Sequence, residues 1–323
     1  MEKNEIKRVD YLDFISTDEN KRTQFIKDFG DSFSNMGFAI VANHGVSTDL
    51  KKDLYDTIET FFALPDETKK EFENEEFAGQ RGYISKNKES AKGQSVPDLK
   101  EFFHIGQEVE AINEFDYPEN IWPENMPVFK EKGLEVFKTL ENTGKNLLKA
   151  IALYLELPED YFSDKIKNGN SILRLLHYYP LSEEAIAKHK DSVRAAAHGD
   201  INLITLLMGA SAEGLQAQTL AGEWIDVMPA PDEIVINVGD MLARLTNNKL
   251  RSTIHQVVNP TNLDKLKKPR YSTPFFLHPN PNMDLTCLES CITTEVPKQY
   301  EDMTAGEFLT ERLVELGLKG RKN

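Results

Sequence analysis

The chain has 323 residues, 40% of them hydrophobic, and a formal net charge of −15. That length and apolar content suit one large or two small domains with a sizeable core, while so acidic a chain without a dense Lys/Arg cluster excludes nucleic acid and anionic lipid surfaces as expected partners. No apolar signal core opens it, no run approaches a membrane span, and its only cysteines, Cys287 and Cys291, exclude a disulfide framework and predict ordinary thiols in a reducing cytoplasm.

Residues 1–126 read as a helical and loop region. Phe25, Phe29, Phe33 and Met36 recur at helical spacing, as do Leu50, Leu54, Ile58 and Phe61/Phe62, with a short buried strand over 37–42 between the two helices. The stretch 73–97 is polar, glycine-containing and aperiodic, which predicts a mobile loop. A long amphipathic helix follows over 127–155, carrying Leu134, Phe137, Leu140, Leu147, Leu148 and Ile151. Such a stripe needs a sheet to cover. From Ser171 to Pro279 the pattern changes to short β-rich runs separated by turn residues, over 172–179, 195–200, 202–208, 214–218, 223–227, 233–238, 253–258 and 271–277. Regular spacing of short strands predicts a sandwich or barrel. A last helix is predicted from Thr304 to about Leu316, with Thr304 as N-cap and Glu307 in the capping-box position. No repeat, low-complexity tract or linker divides the chain, so 1–323 is expected to form one compact unit.

Chemistry concentrates in the β-rich part. In His198-Gly-Asp200 the two polar side chains are two residues apart, and in an extended strand they point the same way. His255 lies in a β-branched run that a neighbouring strand could bring to the same ion. Two imidazoles and one carboxylate on one side of an iron leave positions open for substrate and oxygen. Zinc in a hydrolase accepts the same set, but no His-Glu-x-x-His helix is present. Arg270 and Ser272, also two apart, put a guanidinium and a hydroxyl on one strand face, a receptor for a carboxylate that favours iron beside a keto acid. The other five histidines, His44, His104, His177, His189 and His278, default to surface or satisfied core positions.

In their order and spacing these motifs, together with Gly37-Phe-Ala-Ile-Val-Ala-Asn-His-Gly-Val46, Phe61-Phe-Ala-Leu-Pro65, Leu176-His-Tyr-Tyr-Pro180 and Asn237-Val-Gly-Asp240, resemble the isopenicillin N synthase-like branch of the 2-oxoglutarate/Fe(II)-dependent oxygenases. The resemblance covers almost the whole chain. It implies a mainly β fold with flanking helices, in which a double-stranded β-helix (jelly roll) core over 171–279 follows a helical N-terminal region. It implies Fe(II) held by His198, Asp200 and His255, 2-oxoglutarate chelated there with its distal carboxylate on Arg270, Ser272 and Tyr179, and O2 as oxidant. The implied reaction releases succinate and CO2 while an unactivated C–H bond of a small organic substrate is oxidised, hydroxylation foremost. Arg81, Tyr83 and His104 fall in segments that face substrate in the similar isopenicillin N synthase, and are the candidate substrate contacts. Many relatives carry Asn-x-Tyr-Pro where this chain has His177-Tyr178-Tyr179-Pro180, which leaves the role of His177 open. Three alternatives remain: an oxidase without a keto acid, in which Arg270 and Ser272 hold the substrate's own carboxylate; a non-catalytic binder of small acids; and a metal-dependent hydrolase. Nothing in the sequence sets the primary substrate or the oligomeric state, since one fold hosts many chemistries.

Overall fold

Strand and helix boundaries follow the sequence patterns closely in the C-terminal half and depart from them in the N-terminal third. The computed structural model describes residues 5–77, 79–86, 88, 99–108, 115, 117–188, 194–209, 214–260 and 262–315. Its strands are β1 (Arg8–Asp10), β2 (Phe38–Ala42), β3 (Gly82–Ile84), β4 (Glu101–Gly106), β5 (Ile172–Tyr178), β6 (Ala195–His198), β7 (Ile204–Gly209), β8 (Leu215–Gln218), β9 (Trp224–Asp226), β10 (Ile234–Val238), β11 (His255–Val257) and β12 (Arg270–Leu277). Its helices are α1 (Tyr11–Phe14), α2 (Glu19–Asn35), α3 (Thr48–Phe62), α4 (Asp66–Lys70), α5 (Pro127–Tyr154), α6 (Glu183–Lys188), α7 (Asp240–Leu245) and α8 (Ala305–Glu315). The eight runs anticipated between Ser171 and Pro279 are the eight strands β5 to β12.

Two sheets result, a large one in the order β1-β2-β10-β7-β12-β5-β4-β3 and a small one in the order β6-β11-β8-β9. Among the described residues only β1 and β2 pair in parallel; the other pairs are antiparallel. The N-terminal region is therefore not just helix and loop. β1 to β4 complete both ends of the large sheet, and β4 is buried along its whole length. Its sequence, Glu-Phe-Phe-His-Ile-Gly, lacks clean alternation because a buried acid and a buried histidine sit among the apolar residues, so only its pairing with β5 reveals it.

Helix α5 covers one face of the large sheet, as its apolar stripe requires. Phe137 meets Phe275 of β12 edge-to-face at 5.0 Å, and a Cβ at Gly144 would lie 2.5 Å from Leu277 Cδ1, so glycine permits the close approach. Helices α2 and α3 are capped by the side chains of Asp18 and Ser47 and bury the predicted stripes, Phe25, Phe29 and Phe33 on one and Leu50, Leu54, Ile58 and Phe61 on the other. The capping box on α8 forms, with Glu307 accepting from Thr304 N at 2.8 Å and returning its own N–H to Thr304 Oγ1 at 3.3 Å. His189, Pro97 and Leu316 lie outside the described residues. A smaller apolar cluster joins the two sheets, with Phe38, Ile40 and Val235 from the large one against Leu215 and Ala217 from the small one. Cys287 and Cys291 are both buried and unbridged. Among the described residues no helix is long and apolar enough to cross a membrane.

Candidate metal and cosubstrate site

The site begins where the small sheet faces the large one. On β6 and β11, His198 stands directly opposite His255, at a point where the register shifts by a bulge. Bulges recur beside active sites because they re-aim a side chain. The strand ends at His198 rather than running on to Asp200, and the aspartate joins the histidines from the following turn. Ligand-type atoms of all three residues lie within 4.8 Å of one another, with the two imidazole Nε2 atoms 3.9 and 3.8 Å from Asp200 Oδ1.

Each partner is oriented from behind. Nδ1 of His198 lies 2.7 Å from Ala196 O and Nδ1 of His255 lies 3.1 Å from Thr253 O. Donation to a carbonyl places the proton on Nδ1 and leaves the Nε2 lone pair for a metal. Asp200 Oδ2 accepts from Thr205 Oγ1 at 2.6 Å and Asn237 Nδ2 at 2.7 Å, which leaves Oδ1 on the histidine side. Burial alone would push the Asp200 pKa up, but the two imidazoles and these hydrogen bonds outweigh it and hold the carboxyl below its ordinary value. Desolvation pushes His198 down, toward the neutral form that binds metal. The donor set of two imidazoles and one carboxylate fits Fe(II) with open positions. Asp200 and His255 are buried, whereas the His198 side chain is 48% exposed, so the group is open toward solvent on that side.

The pleat of the large sheet carries the second half of the site. Register places Arg270 opposite Tyr178, Ser272 opposite both Leu176 and Gly209, Phe276 opposite Thr205, and Thr205 opposite Asn237. Residues in register, and those two apart along a strand, share a face. The residues that steady Asp200 and the guanidinium–hydroxyl pair therefore share one face. Both Arg270 and Ser272 are buried, and Arg270 Cζ lies 5.1 Å from the centre of the Tyr178 ring. Tyr179, the tyrosine expected at this place, instead lies beyond the end of β5 with the Lys86 ammonium 5.3 Å from its ring centre. One residue along an extended chain reverses the side, so the tyrosine brought to Arg270 is Tyr178.

Residues 169–279 match the family model of the 2OG-Fe(II) oxygenase superfamily, and residues 9–125 match that of the non-haem dioxygenase in morphine synthesis N-terminal region. A proline hydroxylase, buaE, of Petromyces alliaceus is 32% identical over 96% of this chain and 99% of its own length. The chain belongs to the 2-oxoglutarate/Fe(II)-dependent oxygenase superfamily. Within it the chain falls in the isopenicillin N synthase-like branch, as an oxidoreductase that uses Fe(II), 2-oxoglutarate and O2. Among solved structures, a 2OG-Fe(II) oxygenase family protein from Caulobacter crescentus superposes with TM-score 0.87 at 41% identity, covering 97% of this chain and 99% of that one. A Neurospora crassa protein solved full-length in complex with alpha-KG and thymine superposes with TM-score 0.86 at 29% identity, covering 97% of each chain.

In this oxygenase the expected substrate contacts divide. Tyr83 pairs with Phe103, so it lies on the helix-covered face, 6.0 Å from the Phe61 ring and away from Arg270. Its hydroxyl donates to Glu101 inside a buried network, where the same carboxylate takes Lys69 Nζ at 2.7 Å and His177 Nδ1 at 2.7 Å. Burial pushes the Glu101 pKa up, but His177, Lys69 and Tyr83 together hold it below the ordinary value. The His177 ring stacks on Tyr271 at 4.9 Å, also on the helix side. Arg81 is 1% exposed; its Nη1 donates to Gln80 O and its Nη2 to Asn170 Oδ1, each at 2.8 Å, while its Nε is buried without a hydrogen-bond partner among the described residues. Its guanidinium lies over Gly106, where a Cβ would come within 1.9 Å of Cζ. Tyr83 is turned away from the metal face, whereas Arg81 is not: Gly106 is in register with Ile172, on the side of Arg174, and the Arg81 guanidinium lies where its Cβ would point.

His104 does lie on the metal-side face, in register with Arg174. Its Nδ1 lies 2.6 Å from Gly79 O and its Nε2 accepts from Arg174 Nε at 2.7 Å, so both nitrogens serve to position the arginine. Arg174, Phe102 and Phe276 were not anticipated. Arg174 Cζ lies 4.2 Å from the Phe102 ring centre and 5.4 Å from that of Phe276, all on the same face as Ser272. The signal for them was the alternation of β5, which puts Arg174 in line with Leu176 and Tyr178 once the register is known.

Proposed function

We propose that this oxygenase hydroxylates an unactivated C–H bond of a small polar organic molecule, with 2-oxoglutarate converted to succinate and CO2. The observation that carries the reading is the placement of the His198/Asp200/His255 cluster opposite a sheet face that bears Arg270, Ser272 and Tyr178. Bound Fe(II) with 2-oxoglutarate and O2 supplies the oxidising chemistry. His198, Asp200 and His255 hold the ion, and Thr205 and Asn237 keep the Asp200 carboxylate turned toward it. Arg270 and Ser272 receive the distal carboxylate of 2-oxoglutarate, with Tyr178 in the place first expected for Tyr179. Arg174, Phe102 and Phe276 form the substrate seat: two phenyl rings shield the site from water and a guanidinium orients a polar group. Complexes of the related Neurospora crassa protein with thymine and with 5-formyluracil support a substrate of that size.

We further propose that β5 to β12 form the double-stranded β-helix, that 1–323 acts as one unit because β1 to β4 complete its large sheet, and that the two buried thiols belong to a reducing cytoplasm. The experiment is oxygen uptake with Fe(II) and 2-oxoglutarate, with succinate measured, across a panel of small polar substrates. Succinate formed in step with a hydroxylated product is the expected result. Oxygen uptake that needs substrate but no 2-oxoglutarate would establish the keto-acid-independent oxidase instead.

A further inference from the structure

Among the described residues no carboxylate answers the charge of Arg81. The side chain is 1% exposed, a burial that arginine reaches almost only when it is paired. Its partners are nevertheless neutral: Nη1 donates to Gln80 O and Nη2 to Asn170 Oδ1, while Nε is buried with none. Desolvation lowers its pKa to about 10, with only the Tyr117 hydroxyl acting to raise it. At neutral pH it is therefore a buried cation without a counter-ion.

Its place is fixed by the sheet. The guanidinium lies where a Cβ of Gly106 would point, so that glycine makes room for it. Gly106 stands in one row with Ile172, Phe276 and Thr205, and Thr205 holds the Asp200 carboxylate. Three strand steps of about 4.8 Å set Gly106 about 14 Å from Thr205, room for a small molecule laid along the row. His278 supplies a second unanswered group. Its Nδ1 is buried without a hydrogen-bond partner, and the Asp200 and Arg81 charges both act on its ring. Continued past Phe276 and Ile172, the register of β12 with β5 brings His278 opposite Asn170, the residue that accepts from Arg81. A hydrogen bond from His278 N to Ser171 Oγ at 3.2 Å holds it there. Ser272 and Arg270 lie the other way along β12.

We propose that Arg81 and His278 form the acid-recognising end of the substrate site, so that the substrate is a small carboxylic acid whose carboxylate meets Arg81 while His278 offers a neighbouring polar contact. A planar fork of donors is matched to a carboxylate, and the bound acid would supply the missing counter-charge. The inference deepens the 2-oxoglutarate reading and rests on it: with the cosubstrate's distal carboxylate on Arg270 and Ser272, the two acids are received at different ends of one sheet face.

The test is equilibrium binding of benzoate and benzamide to the full chain, loaded with Fe(II) and saturated with 2-oxoglutarate in the absence of oxygen. The two probes match in shape and differ in charge, their ring suits the Phe102 and Phe276 faces, and saturating cosubstrate occupies Arg270. Wild type is expected to prefer benzoate roughly tenfold or more, the scale of one charge-assisted hydrogen bond. Arg81→Gln should abolish that preference by weakening benzoate alone, and Arg81→Lys, which keeps the charge but loses the fork, should retain part of it. His278→Leu should weaken both probes by a similar factor, because a neutral imidazole does not read charge. Wild type that binds benzoate no better than benzamide, or an Arg81→Gln variant that keeps the preference, overturns the proposal and leaves Arg81 a structural cation; unchanged binding of both probes in His278→Leu removes His278 from the site. Should Arg81→Gln fail to fold, the wild-type ratio and Arg81→Lys decide by the same criterion. Failure of the underlying reading is distinct: Arg270→Gln would then leave 2-oxoglutarate affinity unchanged, whatever benzoate does.

Discussion

The two faces of the large sheet use the same kinds of side chain for opposite ends. On the face toward the small sheet, Arg270, Ser272, Arg174, Thr205 and Asn237 share the side of the His198/Asp200/His255 cluster, and Thr205 and Asn237 hold the Asp200 carboxylate. On the helix-covered face Glu101, His177 and Tyr83 join Lys69 in a buried network, with Lys69 also paired to Asp66. Both groups are buried and both look functional as letters. What separates them is the pleat, which sends neighbouring residues to opposite sides.

The largest effect should come from the ligand face. Asp200→Ala is expected to abolish turnover and Fe(II) binding, because the cluster loses its carboxylate, while the helix face and the overall fold persist. Iron content, activity and circular dichroism on one preparation check this, and a variant that keeps both iron and activity would break the assignment.

On the helix face the same kind of change should act on stability instead. Glu101→Ala leaves Lys69, 1% exposed, without its buried partner, and removing one member of a buried pair costs about 3–5 kcal/mol. The expected drop in melting temperature is roughly 10 °C. Iron and 2-oxoglutarate affinities measured well below that temperature should be unchanged. If they fall with stability, the two faces are coupled and the comparison fails.

A third measurement extends the contrast to pH. Desolvation, with the Lys51 charge adding to it, lowers His44 to about 4, and desolvation does the same to His278. In the unfolded chain each titrates near its ordinary value of 6.5. Between these values the unfolded state binds more protons, so stability is full above pH 6.5 and is lost as pH falls toward 4. Denaturant unfolding should show a loss on the order of 3 kcal/mol per histidine. Replacing His44, which lies outside the metal cluster, by Gln should flatten the slope by its own share; an unchanged slope would place the acid sensitivity elsewhere.

The smallest effect, and the one that sharpens the ligand face, is Arg270→Gln. Loss of a charge-assisted hydrogen bond of about 1.5–3 kcal/mol should raise the apparent 2-oxoglutarate constant roughly 10- to 150-fold with little change in melting temperature. Steady-state kinetics at saturating iron decides it, and an unchanged constant would favour an oxidase that uses no keto acid.

By itself the sequence determined the eight strands between Ser171 and Pro279, the helix over 127–154, the capping box of Thr304 and Glu307, and the shared faces of His198 with Asp200 and of Arg270 with Ser272. Each of these is a local pattern: a period, a cap, or two polar letters two apart whose shared side follows from extended geometry alone. Tertiary structure decided the rest. That β4 is a buried strand depended on its pairing with β5, because Glu101 and His104 hide its apolar character. Whether Tyr178 or Tyr179 meets Arg270 turned on a single residue of register, which no motif spacing specifies. Arg81 and Tyr83 read as substrate contacts on a loop, yet both are buried, and Asn170 and Glu101, distant in sequence, each take one of their hydrogen bonds. Arg194, just before β6, likewise comes within 5.7 Å of the Tyr178 ring centre, and burial and partnership of this kind exist only between segments that the fold brings together.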